Sequence, residues 1–197
     1  MSSIEYDRRY VQWGVGVLEA YLLSEEATWP VHISPPAGEA PYPLLTLEGL
    51  LLAMLRLQSS TRSPEETARD DQLQLELDGI HLRWRVAWEH KATRRVISRL
   101  NLWRNFLEEY REAPEAHADR YRYEVRLRVF LDILSDNTGE MDPAYPQMLQ
   151  GLDLFLQAAL VRADFIWDGR IKGGFPAERY WYLYGKLPLR LPARAVG

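Results

Sequence analysis

The chain of 197 residues contains no cysteine. Disulfides, thiolate catalysis and cysteine-based zinc sites are thereby excluded, and residence in the cytoplasm is compatible with the same absence. Lysine is nearly as scarce, with only Lys91, Lys172 and Lys186 among 24 basic residues. Such an arginine bias commonly reflects genome composition rather than a binding role. A long apolar run is also missing. The nearest, Leu44–Leu57, is interrupted by Thr46, Glu48 and Arg56 and is too short to span a bilayer. The N-terminus, MSSIEYDRRYVQW, has acids and arginines where a secretory signal needs an apolar core. These absences lead to the expectation of a soluble, cytoplasmic protein with no membrane partner.

The familiar catalytic constellations are absent too. Helical di-metal sites need Glu-x-x-His pairs, and none of His32, His81, His90 and His117 follows a glutamate at that spacing. Asp78-x-x-His81 occurs once, and Glu115, His117 and Asp119 cluster in an expected loop. Both read as incidental surface groups, so no metal and no cofactor is expected. No Gly-x-Ser-x-Gly elbow occurs. In RIKGG (170–174) the glycines follow the lysine and the hydroxyl residue is missing, which describes a chain reversal rather than a phosphate loop. No residue is nominated as catalytic.

What is present is a foldable core. Hydrophobic residues make up 47%, with seven Trp and eleven Tyr, more than a disordered chain carries. The length suits one domain spanning 1–197. An apolar stripe over 6–24 predicts a first helix, weakened by Gly14 and Gly16. Prolines at 35, 36, 41 and 43 make 28–43 a loop. Thr46 caps a helix over 47–59. Ser63-Pro64-Glu65-Glu66 carries a capping box, with proline in the first helical position.

The stretch after it, LQLELDGIHLRWRVAW (73–88), supports two readings. Alternating apolar residues around Asp78-Gly79 suggest a β-hairpin, and with it an α+β fold. Leu73, Leu77, Ile80, Trp84 and Trp88 instead follow helical spacing, in step with Ala92, Val96, Leu100, Trp103, Leu107 and Tyr110. No turn residue separates Trp88 from Glu89 and the helical pattern beyond it, and no third strand is available to support a hairpin. The helix is preferred. A continuous helix over 64–112 would be about 70 Å long at ~1.5 Å per residue, with Asp78-Gly79 as its expected kink.

Further helices are expected at 120–135, capped by Asp119, and at 146–167, with a short one at 176–184. The fold class is therefore mainly α, a single-domain bundle of long antiparallel helices. The C-terminal segment 168–197 would pack on that bundle.

Charge is uneven. Residues 1–82 hold 13 acids and 5 bases, whereas 83–130 hold 12 bases and 7 acids. The two segments are expected to pair inside the fold, or the basic one marks a partner surface. Arg94, Arg95, Arg99 and Arg104, interleaved with tryptophan, form the candidate nucleic-acid face within 83–104. Aromatics concentrate at Phe175, Tyr180, Trp181, Tyr182 and Tyr184, too densely to all face inward, so these are the candidate interaction residues. The expected function is a non-enzymatic interaction or assembly protein, with a protein partner or self-association into a homo-oligomer. A nucleic-acid-associated protein is the alternative. An enzyme or ligand sensor whose site forms only in three dimensions is the third reading.

Overall fold

The computed structural model describes residues 3–60 and 62–192. It is 67% helical, which makes the fold mainly α. The helices are α1 (Ile4–Leu23), α2 (Leu47–Ser59), α3 (Pro64–Arg83), α4 (Arg85–Glu112), α5 (Pro114–His117), α6 (Tyr121–Glu124), α7 (Arg126–Ser135) and α8 (Ala144–Ala159). Two short strands, β1 (Val161–Arg162) and β2 (Gly185–Lys186), form an antiparallel pair in which Val161 faces Lys186. The chain divides into two compact units. One comprises the residues up to Arg95 with Ile133–Gly139, the other Val96–Asp132 with Glu140 onward.

In the first unit, side-chain caps set the helix starts. Ser3 accepts from the Tyr6 N–H, Thr46 from the Gly49 N–H, and Ser63 with Glu66 forms a reciprocal capping box. Helix α1 packs on α2 and α3, and α2 packs on α3. Their core contains Val11, Leu18, Tyr21, Leu50, Met54 and Leu57. The proline loop is pinched at its base by paired backbone bonds between Trp29 and Leu45, at 2.9 and 2.8 Å. Tyr42 holds it on α1, its ring tilted against that of Tyr6 at 4.2 Å and its hydroxyl donating to the Tyr6 carbonyl.

The disputed stretch 73–88 is helical. Asp78 and Gly79 lie inside α3, and the irregular residue is Trp84 (φ −114°, ψ 32°). This corrects the expected kink at Asp78-Gly79. The backbone ladder persists across it, Trp84 N–H to Ile80 and Trp88 N–H to Trp84. A single exposed glycine costs a helix only about 1 kcal/mol, too little to break it where both flanks are helical.

The second unit contains the rest of α4, α5, α6, most of α7, α8 and the strand pair. Three helix expectations change here. The helix expected over 120–135 is divided at Val125 into α6 and α7, and Asp119 lies in a 3-10 turn (Ala118–Arg120) rather than serving as its cap. The helix expected over 146–167 ends at Ala159, where Leu160 turns extended (ψ 133°) to enter β1. In place of a helix over 176–184 there is one 3-10 turn, Trp181–Leu183. Residues 193–197 of the C-terminal segment lie outside the described residues. The strand pair needs glycine at 185, because any Cβ there would collide with the Leu160 side chain.

Gly14 has a comparable constraint in the first unit. A Cβ on it would meet Leu50 Cδ1 at 2.7 Å and Leu45 Cδ1 at 3.2 Å, whereas one on Gly16 would meet nothing. Gly16→Ala is expected to raise unfolding free energy by about 0.5–1 kcal/mol through helix propensity. Gly14→Val is expected to lower it by about 1–3 kcal/mol through overpacking. Guanidinium unfolding of the two variants checks both signs.

Candidate interaction surface

The basic segment is divided: Lys91 and Arg95 are buried, Arg99 and Arg104 half-buried, and Arg83, Arg85 and Arg94 exposed. Arg95 is buried on α4 and its guanidinium grips Glu48 of α2, with Nε at 3.0 and 3.1 Å from the two carboxylate oxygens. Glu48 has no exposed surface. Arg94 pairs with Glu25 at 3.0 Å. Lys91 is also buried, and its Nζ donates to the carbonyls of Ser24 and Glu26 just beyond α1, at 2.8 and 2.9 Å. Acidic and basic segments thus pair within the first unit, as their opposite signs suggest. In the second unit Arg99 lies over the Phe130 ring at 5.5 Å, and Arg104 approaches Glu108 at 3.8 Å. The four arginines nominated for phosphate contact therefore share no common surface role. Arg95 is inaccessible to a phosphate.

The C-terminal aromatics are largely interior. Phe175, Tyr180 and Tyr182 are buried; Trp181 and Tyr184 are half-buried. They pack edge to face, Phe175 to Tyr180 at 5.0 Å and Tyr180 to Tyr182 at 6.1 Å. The Tyr121 hydroxyl donates to the Tyr182 carbonyl at 2.6 Å. Three of the five candidate interaction residues are thus taken up by the core, whereas Trp181 and Tyr184 keep part of their surface exposed.

Among the described residues no group of three His, Asp or Glu side chains could hold a metal ion, and no helix is long and apolar enough to cross a membrane. His81 stacks on Trp88 at 4.4 Å, and His117 contacts Arg120 at 2.9 Å. The second unit carries an open cleft of about 490 Å³ between Tyr121, Phe165 and Ile166. Asp119, Asp164, Arg122 and Lys186 also line it, two charges of each sign, so it offers no net charge to an ionic ligand. In the first unit, burial pushes the Asp7 carboxyl up to about 6, against the opposing pull of Arg56, whose Nη2 lies 3.0 Å away.

The feature that sequence reasoning missed lies on the outer side of α3. This 20-residue helix buries only Asp70 and Leu77. Leu75 is 65% exposed, Leu82 80% and, just past the Trp84 irregularity, Val86 76%. Their spacing of seven and then four residues places all three on one helical face. That face is opposite to Leu73, Leu77 and Ile80, the side directed at the protein. The signal was present in the sequence as the second set of alternating apolar residues in 73–88.

No protein-family model matches the chain, and no curated protein or solved structure proved similar to it.

The buried charges have measurable consequences. Arg95→Ala leaves the Glu48 carboxylate buried without its cation and is expected to cost about 3–5 kcal/mol, whereas replacing both by leucine should recover most of the loss. Denaturant unfolding of both variants measures this. For Asp7, the folded value of about 6 lies above the ordinary 3.8, so the folded state binds its proton more tightly. Its contribution to stability is complete below pH 3.8 and is lost as pH rises through about 6. An NMR titration of the Asp7 carboxyl should show its midpoint near 6; a midpoint at or below 3.8 overturns the assignment.

Proposed function

We propose that this chain is a non-enzymatic protein-interaction or assembly protein of the cytoplasm, which docks an apolar helix of a protein partner on the outer face of α3. The observation that carries this reading is the exposure of Leu75 and Leu82 on one side of α3, which buries only two of its residues, with Val86 exposed in register at the start of α4. Isolated exposed apolar residues are ordinary, but three in helical register on one face are a docking geometry. The rest of the molecule supports the reading by elimination. The most basic stretch is occupied with its own acids, and the aromatic tail with its own core.

The reading is tested with a photo-crosslinking amino acid placed at position 75 or 82 of the full chain in its native cells. Crosslinked protein of discrete mass is expected from both positions and not from position 154, an exposed site of α8. Failure to crosslink any protein from either position overturns the proposal.

A further inference from the structure

We infer that the partner of this face is a second copy of the same chain, with α3 lying antiparallel against α3. The inference rests on the proposed function and names its partner. Leu75, Gly79, Leu82 and Val86 are spaced four, three and four residues apart, the seam spacing of paired helices that pack knobs into holes. Gly79 has open space where a Cβ would stand, so it supplies a hole rather than a knob. The flanks of the seam are divided by charge. Glu76 and Asp78 border its first half, Arg83 and Arg85 its second, and all four are exposed.

A two-fold axis between residues 80 and 81 matches every one of these features. It sets Leu75 against the partner's Val86 and Leu82 against the partner's Gly79, so a large side chain meets a small one. It brings Glu76 toward the partner's Arg83 along one edge of the seam and Asp78 toward the partner's Arg85 along the other. Parallel pairing instead leaves an empty layer where two glycines meet. Self-complementarity of this kind is what an isologous interface requires. The arginines are free to respond. Arg83 approaches Glu19 only at 3.9 Å and Arg85 approaches Glu89 only at 3.7 Å, with both guanidinium groups about 70% exposed. With so few layers the association is weak, with a dissociation constant on the order of micromolar, because ordering two bodies offsets most of the burial.

The test uses the purified full chain in multi-angle light scattering at rising concentration. The mass is expected to climb from 23.0 kDa toward twice that value. Leu82→Asp is expected to weaken dimerisation by roughly 10- to 100-fold, the loss of one buried leucine. Leu154→Asp, at an exposed position off the seam, should leave it unchanged. Circular dichroism confirms that each variant is folded. Orientation is read by cysteine pairing, which the absence of native cysteine makes clean. Under copper-phenanthroline oxidation, Leu75→Cys mixed with Val86→Cys should give the mixed disulfide in preference to either self-disulfide. Preferred Leu75→Cys self-disulfides overturn the antiparallel arrangement. A mass of 23.0 kDa at every concentration, with crosslinking from position 82 to a different protein, overturns the second copy and leaves the interaction reading standing. The same mass with no crosslinked protein overturns both.

Discussion

Asp70 has no exposed surface and is held by two guanidinium groups, with Arg8 Nε at 2.8 Å and Arg62 Nη1 at 3.0 Å. An ionised carboxylate removed from water is costly by several kcal/mol unless its cations stay with it. This pairing therefore fixes the rotation of α3 about its own axis, since turning the helix would carry Asp70 away from both. Leu77, two turns further along, is held on the same buried side. With that side assigned, Leu75, Leu82 and Val86 have nowhere to point except outward. The exposed apolar face is thus imposed by a buried ionic anchor and does not reflect loose packing.

The same device recurs. Glu48 draws Arg95 inward, and Lys91 reaches the carbonyls at the end of α1. In the second unit Arg128 sits between Asp153 and Asp132, and the Tyr182 hydroxyl donates to Asp132. Helices joined by buried pairs of this kind are fixed in register more specifically than apolar packing alone achieves. The functional consequence is indirect. Arg95 and Lys91 are committed to holding helices together, and part of the chemistry left outside is apolar.

Local signals were legible in the sequence, and long-range ones were not. Thr46 and the Ser63–Glu66 box fix their helix starts through bonds spanning three residues, and the proline loop excludes a regular element outright. Arg8 and Asp70 are 62 residues apart, and no periodicity announces their pairing. The end of α8 was missed for the same reason. Its apolar pattern runs on past Ala159, and the competing influence is β2, more than twenty residues later. Aromatic density in the tail indicated that the rings could not all face inward, but which ones do was not legible: Phe175, Tyr180 and Tyr182 are buried, and Trp181 and Tyr184 are half-covered.

The stretch LQLELDGIHLRWRVAW looks alternating because two helical stripes overlap in it. Leu73, Leu77, Ile80, Trp84 and Trp88 make the inner stripe, and Leu75, Leu82 and Val86 the outer. Interleaved, they mimic the period of a strand. A hairpin would need one apolar face, whereas this helix has two, separated by Glu76, Asp78, Arg83 and Arg85 along its flanks. A surface helix normally turns a polar side to water. A helix apolar on opposite sides fits between two packed bodies, and among the described residues only its inner face is covered.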